Sequence, residues 1–147
     1  MEDAATERHL RRCLDLAREA AAAGDEPFGS LLVRDGEVIR EALNRVHTED
    51  DIRAHPELEL ARWAARELDA DARAETTMYT STEPCPMCSG GMRLAGLGGV
   101  VYSVSHPALA DLRGTEPHTR AATVLGDDRV EGPVLLDEGL AVHEAYW

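Results

Sequence analysis

Apolar residues recur at three- and four-residue spacing over residues 6–23, where Leu10, Cys13, Leu14, Ala17 and Ala21 share one face. That period predicts an amphipathic helix ended by Gly24, with Cys13 on its core side as a buried, inert thiol. The stretch PFGSLLVRDGEVIREALN (27–44) then changes to β-rich runs on either side of Asp35-Gly36, a two-residue hairpin signal. TTMYTS (76–81) and GGVVYSV (98–104) predict two further strands, each beside a helical segment. A last strand is expected within RVEGPVLL (129–136) and a short terminal helix within DEGLAVHEAYW (137–147). Residues 105–128 keep no period, because Pro, Gly and charged residues interrupt it, and a loop with a helical turn is expected there. The order helix, hairpin, helix, strand, helix, strand describes one α/β domain over residues 1–147, built on a mixed sheet.

The segment RAHPELELARWAAREL (53–68) adds a helix that begins near His55, with Pro56 at its first position, where a missing N–H costs nothing. Each helical residue advances about 100°. With Glu57 at zero, Leu60, Ala61, Ala64 and Leu68 fall within about 60° of it, and Glu59 falls roughly 200° away beside Arg62 and Arg66. Glu57 is therefore expected on the buried side, where a carboxylate needs a partner or a task. Glu59 is expected in water, paired with Arg62.

Composition narrows the function classes. A chain of 147 residues with 44% hydrophobic content is one globular domain's worth. No apolar run approaches the roughly 18 residues of a membrane span, and the polar start MEDAATERHL is not a secretory leader. Three cysteines, two of them three residues apart, do not suggest a disulfide framework, so a reducing cytoplasm is expected. The net charge is −13, from 28 acidic and 15 basic residues, and every basic residue is arginine. Such a surface stays hydrated in a salt-rich cytoplasm and is a poor partner for nucleic acid, which needs clustered positive charge.

The candidate chemistry lies in TSTEPCPMCSGG (80–91), where Cys85 and Cys88 have metal-ligand spacing but supply only two ligands. Together with His55 and Glu57 they form the H-x-E…P-C-x-x-C pattern of zinc deaminases. A second helix is expected to start near Cys85, so both motifs would direct helix N-termini toward one point, which suits a site rich in thiolate charge. A closed structural zinc site would need a fourth protein ligand, and His47, His106, His118 and His143 show no zinc-site spacing to the cysteines.

In these residues the chain resembles the cytidine-deaminase-like superfamily, closest to its guanine deaminase and nucleobase deaminase branch. DEPFGSLLVRDGEVI, NRV, AHPE, LARWA, MYTSTEPCPMCSGGM and VVYSVSH run in the family's order. The resemblance implies a three-layer α/β/α fold, with helices on both faces of a five-stranded mixed sheet. It implies zinc held by His55, Cys85 and Cys88, water in the fourth position, and Glu57 as the acid–base residue. It also implies a homodimer that releases ammonia from a free nucleobase, guanine ahead of cytosine or a related amino-heterocycle. A tRNA adenosine deaminase would carry nearly the same motifs.

Asn44 matches the family's substrate-contacting asparagine, and Phe28 would line the base pocket or join the core. Glu116 or Asp111 is the acidic residue expected to read the base's amide edge. Trp147, with Tyr146, is expected to close over a pocket of its own or of a partner subunit, or to pack in a dimer contact. One departure stands out: Pro56 occupies the place of the family's usual alanine and removes a backbone N–H that relatives can offer to substrate.

Overall fold

The computed structural model describes residues 4–147. Helix α1 (Ala4–Ala22) buries Leu10, Cys13, Leu14 and Ala17 as its period requires, and Gly24 follows it with φ +92°. Strands β1 (Gly29–Arg34) and β2 (Glu37–Leu43) form the expected antiparallel hairpin. Asp35 and Gly36 take φ of 54° and 77°, the left-handed pair that a two-residue turn uses to match strand twist. The one-turn helix α2 (Val46–Glu49), α3 (Pro56–Glu67) and the short α4 (Ala70–Ala74) lead to strand β3 (Thr77–Thr82). Helix α5 (Pro86–Ala95), strand β4 (Gly99–Val104), helices α6 (His106–Arg113) and α7 (Ala121–Leu125), strand β5 (Val130–Glu131) and helix α8 (Leu136–Glu144) complete the order.

The sheet is five-stranded and mixed, in the order β2-β1-β3-β4-β5. The β1 strand runs antiparallel to β2 and β3, whereas β3, β4 and β5 are parallel. Alternation along the strands divides the core between the two faces. Leu32, Met78 and Val100 pack with Leu60, Ala61 and Ala64 of α3 and Met92 and Ala95 of α5. On the other face Leu31 and Val33 pack with Cys13, Val101 with Leu10, and Val142 of α8 with Leu14 and Ala17. Each large side chain buried in this way contributes about 1.5–3 kcal/mol of hydrophobic stabilisation. Gly29 permits the close approach of α1 to β1: a Cβ there would lie 2.6 Å from the Cys13 carbonyl oxygen and 2.8 Å from the Ala17 nitrogen.

Three details differ from the sequence expectation. Residues 105–128 hold two helices rather than a loop with one turn. Ser105 caps α6 through its side chain, and a distant carboxylate, Glu83, receives the first amide of each helix. The last strand is only two residues long, Val130 and Glu131 pairing with Val100 and Val101 of β4, and Val134 beyond it still donates to the Tyr102 carbonyl. Glu59 is exposed as expected, but it does not pair with Arg62; both line an open groove of mixed charge that also includes Arg45, Glu49, Asp51 and Arg53.

The register places one end of the sheet at the site. Gly29 of β1 faces Leu43 of β2, and Ser30 faces Thr80 of β3. Phe28, Asn44 and Thr82 therefore meet at the same edge, which is also the carboxyl end of the parallel strands β3 and β4. A crevice at that end is where α/β sheets bind ligands.

Candidate active site

His55 and Cys85 occupy equivalent positions on two helices. His55 is the N-cap of α3 with extended backbone (φ −89°, ψ 139°), and Cys85 is the N-cap of α5 (φ −67°, ψ 169°). Each is followed by proline, Pro56 or Pro86, which favours extended backbone before it and fits the first helical turn after it. Neither makes an N-cap hydrogen bond with its side chain. Cys88, one turn into α5, is buried beside them.

His55 Nδ1 lies 3.6 Å from Cys85 Sγ and 3.4 Å from Cys88 Sγ, and the three ligand atoms all fall within 4.8 Å of one another. Tetrahedral zinc with ordinary Zn–S and Zn–N bonds would separate a sulfur and a nitrogen ligand by about 3.5 Å. The donor set fits that ion in type and spacing, and it leaves one coordination position without a protein ligand. The two thiols are unequal. Cys85 is drawn down to about 3, first by the hydrogen bond from Cys88 and then by His55, while the same bond and burial push Cys88 up.

Glu57 lies on the buried side of α3, only 5% exposed, and lines the same cavity as His55 and Cys85. Burial, reinforced by the negative charge of Cys85 and opposed by His55, raises its carboxyl to about 7. Asn44 is buried beside it, and its Oδ1 accepts from the Val46 amide at 3.0 Å. Asn44 also lines the cavity. Phe28 forms another wall, its ring 5.4 Å from that of His143.

The structure does not bring every candidate residue to this place. Asp111 and Glu116 are exposed and are not part of the cavity lining. Trp147 does not line it either: the indole lies behind the wall, donating to His143 Nδ1 at 3.0 Å. Residues without an assigned role take their place. Glu26, His106, Leu109, Arg113 and His118 all line the cavity, which has a volume of about 120 Å³.

Glu83 is the most consequential of the missed residues. Its carboxylate is buried and accepts from the His106 amide at 2.9 Å, the Ala121 amide at 2.8 Å and Arg120 Nε at 3.0 Å. Burial alone would raise its pKa, but the donors from His106, Ala121 and Arg120 outweigh burial and hold it below the ordinary value. His106 Nε2 in turn donates to the Pro84 carbonyl at 2.8 Å, and Ser89 Oγ donates to the same oxygen at 3.2 Å. These bonds fix the turn that delivers Cys85. The available signal was Glu83's place directly before Pro84-Cys85, inside the metal motif.

Residues 3–104 match the family model described as the cytidine and deoxycytidylate deaminase zinc-binding region. The chain is 40% identical over 106 residues to the guanine deaminase of Bacillus subtilis, covering 71% of this chain and 68% of that one. It is 31% identical over 152 residues to a probable cytosine deaminase of Schizosaccharomyces pombe, covering 95% and 90%. The solved guanine deaminase of Nitrosomonas europaea superposes with a TM-score of 0.75 at 25% identity, over 94% of this chain and 82% of that one. With its ligand set, its five-stranded mixed sheet and these matches, the chain belongs to the zinc-dependent cytidine and deoxycytidylate deaminase family.

Proposed function

We propose that this hydrolytic deaminase acts on a free nucleobase, guanine ahead of cytosine or a related amino-heterocycle. The observation that carries the reading is the buried Glu57 beside the His55, Cys85 and Cys88 cluster in a small cavity. At about 120 Å³ that cavity is well below the roughly 300–1,000 Å³ of pockets for drug-sized ligands, which favours one heterocycle over a nucleoside. The relatives named above include a guanine deaminase and a probable cytosine deaminase, and they support the same class of substrate.

His55, Cys85 and Cys88 would hold the metal. Zinc, when bound, supplies Lewis acidity that lowers the pKa of a ligated water toward about 7. Glu57, buried beside the metal ligands, accepts a proton and returns it, first to a ring nitrogen and then to the departing amine. The balance is one water consumed, one exocyclic C–N bond exchanged for C=O, and one ammonia released. Asn44 Nδ2 offers a donor to the base, and Phe28 supplies an apolar wall. Pro56, without an N–H, offers no backbone donor.

The setting we favour is a homodimer in a salt-rich cytoplasm, with residues 1–147 acting as one catalytic domain. Leu94, 90% exposed, and Met87 on α5 support a partner surface, and the lysine-free acidic composition supports the salt. Among the described residues no helix is long and apolar enough to cross a membrane. The test is ammonia release from guanine, cytosine, adenine, ammeline, their nucleosides and a tRNA anticodon stem, at low and high salt. Guanine is expected to lead; turnover of the tRNA stem alone would sink the free-base reading.

A further inference from the structure

Arg113 lines the mouth of the zinc cavity without an ion pair or hydrogen bond to any described residue. Two elements fix its place. It is the last residue of α6, a helix capped by Ser105 and closed by Gly114 in a left-handed conformation. Its guanidinium lies on the face of Trp147, with Cζ 3.7 Å from the ring centroid. That distance is well inside the roughly 6 Å over which a cation is attracted by an aromatic face.

Trp147 is itself held. Its Nε1–H donates to His143 Nδ1 at 3.0 Å, and Tyr146 packs edge-on against it with centroids 4.7 Å apart. The opposite nitrogen of His143, Nε2, lies 3.0 Å from Thr82 Oγ1, and Thr82 lines the cavity. A continuous set of contacts thus runs from the cavity wall through His143 and Trp147 to the guanidinium at the mouth. The cation is pre-oriented, has no acceptor among the described residues, and sits in a chain of net charge −13. An arginine in that state is built to meet an acceptor supplied by the ligand, because its planar fork matches two adjacent acceptor atoms.

The geometry points to Arg113 as the specificity-determining residue that reads a paired oxo and ring-nitrogen edge of the base, with Trp147 as its positioning residue. The assignment rests on the free-base reading above. In guanine, the C6 oxygen and N7 form such an edge, on the side of the purine remote from the amine-bearing C2. Bidentate arginine is the usual reader of that pair. Pro56 removes one backbone donor from the cavity wall, and Arg113 supplies donors at its mouth.

Calorimetric titration of zinc-loaded protein separates the possibilities. 8-Azaguanine keeps the oxo and N7 pair, whereas 2-aminopurine keeps the C2 amine but lacks the oxo group. Arg113→Met should weaken 8-azaguanine by about tenfold or more and change 2-aminopurine by less than about twofold. Trp147→Leu should shift the same ratio in the same direction, and Trp147→Phe, which keeps an aromatic face, should restore most of it. Arg113→Lys should not restore it, since an ammonium has no fork. Zinc content and thermal midpoint, measured alongside, identify any variant that has lost its fold.

An unchanged ratio in a folded, zinc-loaded Arg113→Met variant, or an equal loss for both ligands, would overturn the assignment. A shifted ratio in Arg113→Met with none in Trp147→Leu would overturn the role of Trp147 alone. Wild-type protein that binds neither purine would remove guanine from the free-base reading, and this assignment with it.

Discussion

Trp147 donates its indole N–H to Nδ1 of His143 at 3.0 Å, which makes that nitrogen an acceptor and leaves the imidazole proton on Nε2, facing Thr82 Oγ1 at 3.0 Å. A second proton on the ring would set N–H against N–H. Burial first, and the charge of Arg113 second, lower the His143 pKa to about 4. The unfolded chain takes up that proton near about 6.5. The stabilisation is therefore complete above about pH 6.5 and is lost as pH falls toward about 4, up to about 3 kcal/mol. Thermal midpoints of wild type and His143→Gln should converge across that window. A constant difference between the two proteins would contradict the buried neutral state.

Glu83 is the acceptor for two helix starts, so its loss strands donors rather than removing one pair. Glu83→Ala should cost about 3–5 kcal/mol, the usual penalty for breaking a buried charged network. Arg120→Ala should cost only about 1 kcal/mol, because that side chain is half exposed. Urea unfolding of the two variants tests the asymmetry, and equal costs would show that the amides of His106 and Ala121 add nothing.

The three-ligand set makes a simple metal prediction. Wild type should carry about one zinc per chain, and His55→Ala or Cys88→Ser should carry little after dialysis. Chelation should also lower the thermal midpoint, since a metal held by His55, Cys85 and Cys88 would join α3 to α5. Elemental analysis with parallel calorimetry checks both statements.

Gly29→Ala tests the seating of α1 on the hairpin. The new methyl would meet the Cys13 carbonyl and the Leu16 side chain, so helix and strand must separate. We expect a loss of about 1–3 kcal/mol in urea unfolding, the usual cost of overpacking.

Much of this architecture was legible where the chain's own period states it. The α1 face, the Asp35-Gly36 turn and the inward Glu57 follow from spacing and turn chemistry alone. The metal set required two motifs thirty residues apart to be joined, which the resemblance supplied and the geometry of His55 and Cys85 supports. Helices α6 and α7 were not legible, because their first amides are satisfied by Glu83, far away in sequence, rather than by a local pattern. Only His106, Leu109 and Ala110 of α6 are buried, too few to write a period over a segment rich in charge. The place of Arg113 was hidden for a related reason: its orientation depends on Trp147, thirty-four residues later. The pairing of Glu59 with Arg62 failed in the opposite sense, since a permitted spacing between exposed side chains does not compel a contact.

Glu57 carries the central claim, and Glu57→Gln tests it most directly. The variant keeps the size and the burial of the side chain but cannot take up the proton. Zinc-loaded wild type should release ammonia from guanine. Glu57→Gln should retain its zinc and its thermal midpoint while turnover falls by about 10²–10⁴-fold. Turnover near the wild-type rate in the zinc-loaded variant would contradict the account.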